Sequence, residues 1–182
     1  MPKEPTVQRS MVQSIFLGDG ECGATFSECR TWRYCLWRRW SARQERETRI
    51  VAFVGLNPST ADESVNDPTV RRCIAFAKRW EFDGLAMLNL FAYRATAPAD
   101  MKAADDCVGE LNDEAITRVA SVCVQTICCW GADGGHLHRG SQVKQLLSQT
   151  CGRAVWHLGV TLHGHPKHPL YLRSDTERVR WA

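Results

Sequence analysis

No apolar run in this sequence approaches the roughly 20 residues needed to span a bilayer, and its beginning lacks a charged region followed by an apolar core and a small-residue cleavage site. A cytoplasmic protein without membrane contact is expected. No Cys-x-x-Cys pair occurs either, although the chain holds nine cysteines. An odd number argues against a closed disulfide framework, and a zinc site would have to be gathered from distant Cys and His residues without the usual paired spacing. Reduced thiols are the expectation, several of them small core hydrophobes as in TICCW, with neither a metal nor another cofactor. No internal repeat or low-complexity linker is present, and a formal net charge of +3 is too small to demand nucleic acid by itself.

What is there is the balance of a soluble folded protein, with 44% hydrophobic and 24% charged residues. A length of 182 residues fits one domain over 1–182 and is too short for two ordinary ones. Residues 1–20 carry little pattern and read as a loose leader. Residues 21–48 hold short strands near GATFSE and TWRYCLW and then the charged link SARQERETR. In CRTWRYCLWRRW basic and aromatic residues interleave. Such a run either contacts phosphates and stacks on bases, or is a strand with Trp32, Tyr34 and Leu36 inside and its arginines outside.

From Arg49 to Leu172 the chain alternates between strand and helix signals, the mark of parallel strands joined by helical crossovers. RIVAFVGL is an apolar run of the kind that a strand buried on both faces requires. In NDPTVRRCIAFAKRW, Asp67 suits the cap, Pro68 the first helical position, and Val70, Cys73, Ile74 and Ala77 recur at helical spacing. GLAMLNLFAY supplies a second strand, and NDEAITRVASV a second helix with Asn112 as its cap. VCVQTICCW supplies a third strand ending at Trp130. The polar loop GADGGHLHRG, a helix SQVKQLLSQT capped by Ser141, the strand AVWHLGV and the His- and Pro-rich TLHGHPKHPLYL follow, with residues 173–182 as a tail. The expected fold is α/β: a three-layer α/β/α domain on a four-stranded, mainly parallel central sheet, with a short N-terminal β segment.

Ligands of open α/β sheets bind beyond the C-terminal strand ends, where loops converge and helix N-termini point free N–H groups outward. The polar motifs fall there: GLNPSTAD after the first strand, Asn89 and Phe91 at the second, WGADGGH after the third, GHPKHP after the fourth. Each alone is ordinary turn chemistry. Together they aim at one rim.

Read in order, GLNPS, LNLF, WGADG and GHPKHP resemble the strand-end motifs of the uracil-DNA glycosylase superfamily, most closely GINPG of its mismatch-specific branch at the first motif. Through GLNPSTAD, NDPT, NLFAYRAT and GHPKHPLYL the chain also resembles a bacterial and phage family catalogued as domain of unknown function 1643, whose name assigns no activity. The glycosylase resemblance implies a base extruded from a stack or presented as a free nucleoside, read along its polar edge and cut at the N-glycosidic bond by water.

On that resemblance Asn57 positions the water within a base-binding loop of Gly55, Leu56, Pro58 and Ser59. Asn cannot remove a proton, so slow chemistry or a different base is implied unless Asp62 or Asp67 reaches the water. Otherwise Asn57 and Pro58 simply shape a turn. His165 matches the histidine that donates to a base carbonyl, with His168 competing for the role. The family's HPSPLS is here HPKHPL, which sets Leu170 near the duplex-wedging leucine with one residue inserted. Asn89 matches the asparagine that reads a pyrimidine edge, since an amide offers donor and acceptor together; the alternative is a buried strand-end amide. Phe91 or Tyr93 stacks on the base or belongs to the core, and Trp130 and Gly131 shape the pocket floor. Arg71, Arg72, Arg94 and Lys167 are candidates for phosphate contacts. The triad His163, His165, His168 has a metal-like spacing, though such loops are more often hydrogen-bonded turns.

The leading expectation is therefore a glycosylase-like protein that hydrolyses or recognises the N-glycosidic linkage of a modified or damaged base, its partner being DNA, a nucleotide or a nucleobase. A binding module that recognises a base without turnover, within phage–host conflict for instance, and a cysteine- or metal-dependent enzyme are the alternatives.

Overall fold

The computed structural model describes residues 16–41, 48–151 and 154–181. The leader up to residue 15, most of the charged link (42–47), residues 152–153 and residue 182 of the tail lie outside the described residues. What is described of the leader's end packs inward, with Phe16 and Leu17 buried.

The chain runs β1 (Cys22–Phe26), β2 (Arg33–Arg39), β3 (Ile50–Gly55), α1 (Pro68–Arg79), β4 (Gly84–Asn89), α2 (Pro98–Ala103), α3 (Asn112–Val122), β5 (Gln125–Cys128), α4 (Arg139–Cys151), β6 (Val155–His157) and β7 (Val179–Arg180). The architecture is mixed α/β. Its sheet has seven strands in the order β1-β2-β4-β3-β5-β6-β7. β3 pairs in parallel with β4 and β5, and β5 with β6, while β1, β2 and β7 pair antiparallel. The N-terminal strands are thus not an appendage. They extend the sheet beyond β4, and β7 from the expected tail extends it beyond β6.

Side chains alternate across this sheet as the period of a strand dictates. Ile50, Ala52 and Val54 with Ala86 and Leu88 pack on Ala115, Ile116 and Val119 of α3 and Val143 and Leu147 of α4. Val51, Phe53, Leu85, Met87 and Ile127 face the other way, onto Val70, Cys73, Phe76 and Ala77 of α1. Phe76 stacks on Trp80 with ring centroids 5.3 Å apart. Helix α1 forms where the sequence signals it: Asp67 Oδ1 accepts the Val70 N–H at 2.8 Å, Pro68 opens the helix, and Lys78 and Arg79 lie in the last turn.

Three local expectations are corrected. Asn112 does not cap α3; it is fully buried, and its Nδ2 donates to the Asn89 and Leu90 carbonyls at 3.1 and 2.9 Å, tying the helix to the end of β4. Ser141 does not cap α4, because helix begins at Arg139 directly after 3-10 turns through Ala132–His138. And β2 does not keep its arginines outside: it lies between β1 and β4, with Arg33 only 2% and Arg38 only 6% exposed. Arg38 has many acceptors there, among them the Asp62 and Trp37 carbonyls and Asn66 Oδ1.

Candidate functional site

The loops that leave the parallel strands are stitched in pairs. The N–H groups of Leu90 and Phe91 donate to the Gly55 and Leu56 carbonyls, both at 2.9 Å, and the Ala95 N–H donates to the Pro58 carbonyl at 2.9 Å. On the other side the Gly131 N–H donates to the Pro166 carbonyl at 2.8 Å. Gly131 holds φ +78°, which a side chain would strain. Between the two pairs lies a cleft of about 740 Å³, the size of an ordinary small-molecule site.

Gly55, Leu56, Asn57, Ser59, Asp67, Asn89, Trp130, Gly131, Lys167 and His168 all line this cleft. The structure brings these expected residues together from four strand ends. Asn89, at the end of β4, is 3% exposed, and its Nδ2 has no hydrogen-bond partner. A buried donor without an acceptor costs its full desolvation, about 1–3 kcal/mol, so a ligand that brings an acceptor to this amide recovers that cost. Gly55 permits this placement, since a Cβ there would stand 3.1 Å from Asn89 Oδ1.

Asn57 is oriented by its own loop and by the loop after β4. Its Nδ2 donates to the Ala95 carbonyl at 2.7 Å and the Pro58 carbonyl at 3.0 Å. With both amide protons engaged, Oδ1 remains as the side chain's free acceptor, of the kind that can hold a water by its proton and leave the water's lone pairs free. Asp67 is buried at the mouth of α1, one oxygen capping the helix. His168 Nδ1 accepts the Leu170 N–H at 3.4 Å, which leaves the proton on Nε2. Burial pushes the His168 imidazole below its ordinary pKa, against the opposing pull of Asp67, so a neutral donor is favoured.

Other expected residues stand elsewhere. His165 is outside the cleft lining, its ring against Gly135, where a Cβ would come within 3.3 Å of Nε2. Asp62 Oδ1 is turned into its own loop, accepting the Ser64 and Val65 N–H groups at 2.9 and 2.7 Å. Pro58 is buried beneath the loop, and Phe91 is a fully buried core ring beside His136, 5.5 Å between centroids. Tyr93 bridges to Trp32. Arg71 donates to the Asn66 carbonyl, Arg72 to the Leu172 carbonyl, and Arg94 to the Arg30 carbonyl. Leu170 is exposed but does not line the cleft. Among the described residues no group of three His, Cys, Asp or Glu side chains is arranged to hold a metal ion, and no helix is long and apolar enough to cross a membrane.

Sequence reasoning missed Arg33, Thr69 and Tyr171 as cleft residues. Tyr171 is 84% exposed at the rim, with its ring 5.6 Å from that of His168. Its signal was an aromatic two residues after the GHPKHP loop. WGADGG, in turn, serves packing: a Cβ at Gly134 would meet the Trp130 ring at 2.0 Å, so the glycine admits the indole.

The family described as Protein of unknown function (DUF1643) matches residues 33–170, from the start of β2 to the loop that closes the cleft, and the chain belongs to that family. No curated protein and no solved structure matches the chain.

Proposed function

We propose that the cleft of this DUF1643 chain takes a nucleobase, carried by a nucleotide or by DNA, and acts as a glycosylase-like site on the N-glycosidic linkage of a modified or damaged base. The buried, partnerless Nδ2 of Asn89 carries the reading: it is a fixed donor for an acceptor on a planar polar edge, beside an Oδ1 that can accept from the same edge. The ordering of strand-end loops that resembles the uracil-DNA glycosylase superfamily supports the same assignment. Tyr171 offers a ring at the rim, His168 Nε2–H a neutral donor for charge that develops on the departing base, and Asn57 Oδ1 a seat for water. In this reading Asp67, which lines the cleft as Asp133 also does, serves as base, and Asp62 and His165 have no part.

The test is release of free base from a panel of deaminated and alkylated DNA strands and the matching nucleotides. Release from at least one substrate is expected, with a loss of about 10²-fold or more on Asn57→Ala, in the range found for removal of a single positioning group. A second reading, recognition without turnover, is favoured by the engagement of Asn57 with backbone carbonyls and by its inability to take a proton. Binding that depends on Asn89 without any base release decides for it.

A further inference from the structure

Arg33 is the cleft's unexplained group. The residue is 2% exposed, one guanidinium nitrogen donates to the Ala61 carbonyl at 2.8 Å, and its Nε has no partner. Among the described residues no carboxylate lies within ion-pair distance of it. Burial pushes its pKa down to about 10; Asp67 opposes the fall, and Arg94 and Arg38 add to it. Asp67 attracts this cation from within the cleft without pairing with it; a cation held out of water without a paired carboxylate is unfavourable to the folded protein alone, and an arriving anion relieves that cost. Two further donors share the cleft. Lys167 reaches it from the loop before His168, and Thr69 sits in the first turn of α1. Pro68 lacks an N–H and Asp67 caps Val70, so the Thr69 N–H is the first-turn donor without an acceptor among the described residues.

We infer that Arg33, Thr69 and Lys167 form an anion subsite beside Asn89, and that the ligand of the cleft is a free nucleoside monophosphate rather than a base within a nucleic-acid strand. This rests on the nucleobase reading and narrows it. A guanidinium buried so deeply is reached by a terminal phosphate that enters the cleft with its base. The phosphodiester of a strand has to stay at the surface on both sides of the nucleotide. A cleft of about 740 Å³ leaves room for base, sugar and phosphate together. Arg33 supplies a planar fork for the phosphate oxygens, and the helix N-terminus adds a fixed partial positive charge.

The experiment is calorimetric titration of the full chain with common and deaminated nucleosides, their 5′-monophosphates, inorganic phosphate and a short single-stranded oligonucleotide. At least one monophosphate is expected to bind 100-fold or more tighter than its own nucleoside, and tighter than the oligonucleotide. In Arg33→Met that gain falls at least ten-fold with nucleoside affinity kept. Lys167→Gln, on an exposed side chain that does not threaten folding, cuts the gain several-fold. A monophosphate that binds no better than its nucleoside, an oligonucleotide that binds tighter, or a gain undiminished in Lys167→Gln overturns the assignment and leaves the base reading standing. Inorganic phosphate binding that is lost in Lys167→Gln, with no base or nucleoside bound at all, keeps the anion subsite and sinks the base reading. Absence of both sinks both.

Discussion

Asn89 and Gly55 show how closely the site depends on single atoms. Because a Cβ at Gly55 would press on Asn89 Oδ1 at 3.1 Å, Gly55→Ala is expected to displace that amide by a few tenths of an ångström. Affinity for a base-bearing ligand should fall about ten-fold, roughly 1.4 kcal/mol, with little change in melting temperature. Isothermal titration beside a thermal melt checks both. Asn89 was legible in the sequence as a polar residue ending an apolar strand. Arg33 was not, because alternation in TWRYCLWRR reads as a half-buried strand, and only the folded loop after β3, whose Ala61 carbonyl accepts from Arg33, covers that side chain. Cys29 marks the contrast with the cysteine-dependent alternative. It is exposed, outside the cleft, and hydrogen bonds with Ser27 and Thr31 lower its pKa to about 7. Cys35, Cys73 and Cys128 are pushed up by burial. Alkylation by iodoacetamide is expected to rise through a midpoint near pH 7 at Cys29 first, as the thiolate forms with rising pH, and Cys29→Ala should leave ligand binding in the cleft unchanged. Mass spectrometry of the alkylated chain reads the first; loss of binding in the variant would return the thiol to the mechanism.

At the scale of elements, α1 has two duties that one substitution can separate. Asp67 caps the helix through Oδ1 and also brings a carboxylate into the cleft. Asp67→Ala removes both and is expected to cost about 1 kcal/mol of stability for the cap alone. Asp67→Ser keeps a capping oxygen, so most of that stability should return in urea melts, while base release stays lost if the carboxylate serves the reaction. The opposite pattern, full activity in Asp67→Ser, removes Asp67 from the chemistry. The helix was readable from its Asp-Pro start and its apolar spacing. The starts of α3 and α4 were misread because Asn112 looks like a cap but is drawn inward by the free carbonyls of Asn89 and Leu90. Arg139 is held in the same way, donating to the Leu90 carbonyl at 2.9 Å and pairing with Asp113. Long-range acceptors of this kind leave no mark in a local pattern.

For the whole molecule, the parallel strands explain why distant motifs meet. GLNPS, LNLF, WGADG and GHPKHP stand at neighbouring strand ends because β4, β3, β5 and β6 are consecutive in the sheet and run in one direction. Periodicity could show these strands but not the antiparallel additions: β1 and β2 read as a separate segment, and β7 is only two residues long. The basic residues that suggested a nucleic-acid track are largely turned inward or onto backbone carbonyls, as Arg71, Arg72 and Arg94 are. A chain that takes free nucleotides is accordingly expected to bind duplex DNA with a shallow salt dependence, fewer than about three released counterions, measured by anisotropy across a salt series. A steep slope would restore a strand-binding surface.

The central claim is that the Asn89 amide awaits the edge of a base. The most direct test is NMR of its side-chain N–H₂ pair, assigned by loss of the signal in Asn89→Ala, during titration with nucleosides and their monophosphates. A ligand that binds is expected to move these protons downfield as Nδ2 gains an acceptor, and Asn89→Ala to abolish binding of the same ligand. An amide signal that stays fixed while a nucleotide binds, or binding untouched by Asn89→Ala, contradicts it.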